Sequence, residues 1–230
     1  MNDMVLCSAT IGVVISLLAY EIGLFLKKKL KLAVFNPLLV AIILVIVFLV
    51  VSKVDYESYN ESAKYLAYLL TPATVSLAIP LYQHMELLKK NIAAIIGGII
   101  AGVLASLGTV LAMSLLFGLS HEEYVTLLPK SITTAIGMGV SEELGGYVTI
   151  SVAVIIITGV LGNMTAEFIC KKFHIRNAIS RGIAIGGASH AIGTAKAMEM
   201  GEVEGAMSSL AIVVSGLCTV LGASVFAMFL

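Results

Sequence analysis

The sequence is poor in charge, in cysteine and in long polar intervals, and each shortage excludes something. Charged residues make up only 12% of the 230 residues, with 14 Lys and Arg against 14 Asp and Glu. A soluble domain carries about twice that fraction. A net charge of zero gives no electrostatic footprint for a nucleic-acid partner. No polar interval is long enough to fold a separate soluble domain. The three cysteines, Cys7, Cys170 and Cys218, are scattered through or beside apolar segments, so neither a disulfide framework nor a metal site is expected. Met1 to Met4 carry no basic region, and the apolar stretch that follows is of spanning length. The first helix is therefore expected to be retained, not cleaved as a signal peptide.

What is present is apolar. The chain is 59% hydrophobic, with a mean hydropathy of +1.05. Stretches of about 20 apolar residues cross a bilayer core as helices. They predict an all-α integral membrane protein with about six spans: Val5 to Leu26, Leu32 to Ser52, Ala63 to Tyr82, Ile92 to Gly118, Tyr147 to Cys170 and Ala206 to Leu230. Glu21 lies inside the first. Pro72 and Pro80 interrupt the third, and Thr71 and Thr74 flank the first of these breaks. Gly97, Gly98, Gly102 and Gly108, with Ala101 and Ala105, give the fourth a small-residue face suited to tight helix packing. Lys27 to Lys31, Lys89, Lys90 and Lys171 to Arg181 hold ten of the 14 basic residues, and the positive-inside rule assigns them to the cytoplasmic side.

Two stretches fit neither a span nor a plain loop. One is LLPKSITTAIGMGVSEELGG, 127–146. The other runs over 182–205, GIAIGGASHAIGTAKAMEMGEVEG, and places Ser189, His190, Thr194, Lys196, Glu199, Glu202 and Glu204 within 16 residues. Glycines weaken any continuous helix there, and polar backbone at membrane depth persists only inside protein or beside a wet cavity. Both read as re-entrant or broken-helix hairpins. The charge rule has 127–146 entering and leaving from outside and 182–205 from inside. An offset of 56 lays Ala135-Ile136-Gly137 on Ala191-Ile192-Gly193. An offset of 57 lays Gly159 on Gly216 within matching apolar runs. Two oppositely oriented copies of a hairpin plus a span make an inverted repeat of the kind that transporters use. The expected division is 1–91 as a scaffold and dimerisation part and 92–230 as a transport part. The broken helix 63–82 is open to either.

Three motifs, LTPATVSLAIPLY (70–82), LPKSITTAIGMGVSEELGG (128–146) and GIAIGGASHAIGTAKAMEMGEVEGA (182–206), together resemble the LrgB/CidB family over essentially the whole chain. The resemblance implies a proline in many relatives near the position where this chain has Ala135. The resemblance implies a multi-pass protein of the bacterial cytoplasmic membrane, paired with an LrgA/CidA-type membrane partner. It implies one of two functions. One is transport of small monocarboxylates of the pyruvate, glycolate, glycerate or lactate type, by alternating access of an elevator-like homodimer. The other is holin/antiholin-like regulation of murein hydrolase export and cell lysis, without a specific substrate.

A carboxylate needs a cation or several aimed N–H donors in a cavity of reduced dielectric. The candidate substrate groups are Lys130, Ser131, Thr133, Thr134, Ser189, His190, Thr194 and Lys196, with Thr71 and Thr74. Glu142, Glu143, Glu199 and His190 are the candidates for proton coupling. Ion pairing with glutamates is the competing role for each lysine, and burial as a satisfied core histidine is the competing role for His190. No cofactor and no enzymatic activity are expected. Ser189–His190 and Ser131–Lys130 are chain neighbours, and neighbours on a helix do not face each other as a catalytic dyad must.

Overall fold

The computed structural model describes residues 10–30 and 35–230, apart from the side chain of Thr74. The expected start of the first span at Val5, Cys7, Lys31 and the first residues of the second span lie outside the described residues. The chain divides into two compact units, Met1–Ser76 and Leu77–Leu230. Among the described residues every regular element is helical.

The first unit contains α1 (Ile11–Leu30), α2 (Pro37–Ser52), α3 (Tyr56–Ala63), a 3-10 segment (Lys64–Leu69) and α4 (Leu70–Ser76). Lys27, Lys28 and Lys29 form the last turn of α1, where cations complement the helix dipole. Asn36 caps α2, accepting from Leu38 N at 2.9 Å and Leu39 N at 3.3 Å, and Pro37 takes the first helical position. Gly12 N donates to Ser62 Oγ at 3.0 Å, tying α1 to α3. Glu21 is exposed on α1. Pro72 is the third residue of α4, which follows the 3-10 segment directly.

The second unit contains α5 (Ala78–Gln83), α6 (Met85–Lys90), α7 (Ile92–Phe117), α8 (His121–Leu127), α9 (Thr134–Glu143), α10 (Val148–Lys172), α11 (Ala178–Met200), α12 (Glu202–Phe226) and a closing 3-10 turn (Ala227–Phe229). Ile95, Ile99, Val103, Leu107 and Val110 recur at helical spacing on α7 and bury into the core with Tyr124, Leu128, Ile132, Met207 and Ala211. Ser120 and Glu123 form a capping box that starts α8. Beyond Leu127 the chain turns back on itself. Thr126 Oγ1 accepts from Tyr147 N at 2.8 Å, and Ser151 Oγ reaches Thr126 O at 2.8 Å and Ser141 Oγ at 2.7 Å. At the exposed end of this hairpin Tyr147 donates to Glu122 Oε2 at 2.7 Å. That bond and the carboxylate charge hold the phenol above its ordinary pKa.

The second anomalous stretch is also a hairpin. His190 adopts φ 41° and ψ −141°, which divides α11 into limbs 178–189 and 191–200. A methyl on Gly193 would lie 3.2 Å from Ile185 O. In a straight helix residues eight apart are about 12 Å apart along the axis, so the second limb runs back beside the first. Each limb is half the length of a span.

Among the described residues, four helical stretches are long and apolar enough to cross a membrane: Tyr56–Gln83, Ile92–Phe117, Val148–Lys172 and Glu202–Phe229. Pro37–Ser52 is apolar but shorter, and Ile11–Leu30 carries Glu21 and three lysines within its described length. Val213, Leu217, Leu221 and Val225 leave one whole face of α12 apolar and exposed, the kind of surface that hydrocarbon covers.

Candidate functional site

The two hairpin tips meet at one cavity of about 670 Å³ within the second unit. Lys130 and Ser131 come from the first tip and Ser189 from the second. Thr158 and Gly162 of α10 line the cavity between them. The opposite wall is α7, through Ala94, Gly98, Gly102, Ala105, Ser106 and Thr109. The expectation that these glycines serve tight packing is corrected here. A methyl at Gly97, Gly102 or Gly108 would meet nothing within 4 Å, and one at Gly98 only Ile183 Cγ2 at 3.7 Å. Close packing occurs elsewhere, where Gly162 receives Ser189, Gly159 receives His190, and Gly182 and Gly186 receive α12.

Half-buried Lys130 is the cation of this cavity. Its Nζ donates to Ser131 Oγ at 2.9 Å and to Ser106 Oγ at 3.1 Å, and the two hydroxyls lie 3.1 Å apart. Among the described residues no carboxylate lies within salt-bridge distance of it. Hydroxyls alone leave the charge of an ammonium removed from water poorly compensated. An anion entering the cavity would supply the missing charge.

Lys196 is placed differently. Its Nζ lies 3.3 Å from Glu167 Oε2 and 3.2 Å from Glu199 Oε2, and Lys171 pairs with the same Glu167 at 3.1 Å. These groups line a second cavity of about 240 Å³ with Arg181, which reaches Glu204 Oε1 at 3.5 Å. Lys196 thus takes the ion-paired role, and Glu199 is its partner there. Glu142 and Glu143 are exposed near the end of α9, away from the Lys130 cavity.

His190 is buried at the second tip, with Nε2 3.0 Å from Ile155 O. Thr194 Oγ1 lies 2.9 Å from His190 O and 2.7 Å from Ser208 Oγ, so it stitches the break and does not line the cavity. Asn163 Nδ2 donates to Ile192 O at 2.7 Å, a clamp on the break beyond the sequence candidates. Thr133 is the extended residue before α9 and Thr134 its first residue. Neither lines the cavity. Thr71 is exposed in the first unit, and the side chain of Thr74 lies outside the described residues.

Ser106, Thr109, Thr158 and Gly162 were missed by sequence reasoning. The signal for the α7 wall was nevertheless present, because small residues at 94, 98, 102 and 106 run down a face beside the large residues at 95, 99, 103 and 107. The helical argument against a Ser131–Lys130 dyad also fails, because residues 128–133 form a turn and the pair is within hydrogen-bond reach. Labelling of Ser131 by a fluorophosphonate would assign the chain to the hydrolases.

Fold and site define a multi-helix membrane protein with two helical hairpins converging on a cationic cavity. The chain belongs to the LrgB-like family, whose profile matches residues 16–229. Proteins named antiholin-like protein LrgB from Bacillus mycoides (strain KBAB4), Bacillus cereus (strain B4264) and Bacillus anthracis (strain CDC 684 / NRRL 3495) are each 39% identical over 220 residues. The match covers 95% of this chain and 96% of each relative. No solved structure is a significant match.

Proposed function

We propose that the chain is a secondary transporter or facilitator of small monocarboxylates, of the pyruvate, glycolate, glycerate or lactate type, in the bacterial cytoplasmic membrane. The observation that carries this reading is Lys130, a cation held by two hydroxyls where the two hairpin tips meet, with no carboxylate in salt-bridge distance among the described residues. Interrupted helices converging on a charged cavity are the usual architecture of secondary-transporter sites.

An inverted repeat is part of the proposal, and a reciprocal contact supports it. Gly159 of α10 receives the second hairpin, where a methyl would lie 2.9 Å from Ile192 Cδ1. Gly216 of α12 receives the first, where a methyl would lie 3.3 Å from Ile136 Cδ1. Gly159 and Gly216 are equivalent at offset 57, and Ile136 and Ile192 at offset 56. Exchange of equivalent partners is what a two-fold relation produces. Alternating access would then exchange the roles of the hairpins. The cavity reaches Ala94 and Ser180, near the basic ends assigned to the cytoplasm, which supports reading the described state as inward-facing. Six spans, a scaffold in 1–91, a transport part in 92–230, an elevator motion in a homodimer and an LrgA/CidA-type partner complete the proposal.

The names of the relatives support a second reading, an antiholin-like regulator of murein hydrolase export and lysis with no specific substrate. Reconstitution in liposomes separates the two. Labelled pyruvate and glycolate are expected to enter saturably, faster with an inward proton gradient if protons are coupled. Absence of uptake even with the LrgA-type partner present would leave the regulatory reading.

A further inference from the structure

We propose that the cavity accepts monocarboxylates with aliphatic tails longer than three carbons, the carboxylate at Lys130 and the tail along the glycine wall of α7. The inference rests on the reading of Lys130 as the anion site and adds a chain-length preference to it. The cavity is larger than a three-carbon acid needs. A liquid water takes roughly 30 Å³, so about 670 Å³ holds some twenty water-sized volumes, whereas a three-carbon acid brings about six non-hydrogen atoms. The volume lies within the range of pockets that enclose larger organic ligands.

Polarity is unevenly distributed along the cavity. Lys130 sits with Ser106 and Ser131, and away from it the α7 wall is backbone and methyl groups at Ala94, Gly98 and Gly102, while Thr158, Ser180 and Ser189 contribute hydroxyls to the rest of the lining. Among the described residues no second cation lines the cavity, so a second carboxylate on the ligand would have no partner there and dianions are disfavoured. Gly98 and Gly102 leave open space where any other residue would project a side chain into the cavity. A tail laid on that wall gains the burial free energy of each methylene.

The test is isothermal titration of the purified full-length chain with straight-chain monocarboxylates from acetate to octanoate, beside Lys130→Met and Gly102→Leu. Affinity is expected to rise roughly fourfold per methylene beyond three carbons. Lys130→Met should weaken every length, and Gly102→Leu should weaken octanoate far more than propionate. Affinity that is flat or falls with length, while still dependent on Lys130, would overturn the tail proposal and leave the anion site standing. Length-dependent binding that persists in Lys130→Met would be partition into detergent and would also overturn it. Failure of every acid to bind would overturn the anion reading itself.

Discussion

Lys130→Met is expected to weaken monocarboxylate binding about 10- to 100-fold, while Lys196→Met leaves it within about threefold, because a hydrogen bond to a charged group contributes roughly 1.5–3 kcal/mol. Methionine keeps most of the length and apolar volume of lysine, so the change removes charge and donors with little loss of packing. The lysines differ in what surrounds them. Lys130 has two serine hydroxyls in a cavity, whereas Lys196 has Glu167 and Glu199. Removing Lys196 leaves Glu167 with Lys171, and both acid partners are about half exposed, so water compensates the loss. Removing Lys130 takes away the one positive charge that lines the cavity among the described residues. Equilibrium titration of both variants with pyruvate checks this, and equal losses would move the site toward the Glu167 cluster.

Gly186→Val is expected to destabilise the protein by about 1–3 kcal/mol, the usual cost of overpacking. Substitution of its neighbour, Gly187→Ala, should be neutral or stabilise by roughly 0.5–1 kcal/mol through helix propensity. A methyl on Gly186 would lie 2.8 Å from both Ser208 Cα and Ser208 Oγ, and a backbone atom cannot step aside without moving α12. A methyl on Gly187 meets nothing within 4 Å and points into the cavity. Two adjacent glycines thus have opposite reasons to be glycine. Thermal unfolding in detergent, followed by far-UV circular dichroism, separates them. Equal stability of the two variants would contradict the close approach of the second hairpin to α12.

The hairpins were legible because the membrane penalises what they contain. Glycines and polar groups crowded into 127–146 and 182–205 are incompatible with lipid-facing helix, and that incompatibility is local in sequence. The break at His190 follows in region, though no single residue there announces a positive φ. The ranking of the two lysines was not legible. It depends on Glu167, 29 positions before Lys196, and on Ser106, 24 positions before Lys130, and only the fold brings those groups together. The α7 glycines misled for a related reason. A small-residue face serves tight packing and a cavity wall equally well, and only the neighbouring helix decides between them.

The most direct test of the central claim is the rate at which a polar maleimide labels Gly187→Cys, with Cys7, Cys170 and Cys218 replaced by alanine. Gly187 lines the cavity, and a side chain there has room. Pyruvate and glycolate are expected to slow labelling saturably, their amides to leave it unchanged, and Lys130→Met to abolish the protection. Labelling that is indifferent to the acids, with the LrgA-type partner present, would contradict a carboxylate site at Lys130 and leave the antiholin-like reading of the family in its place.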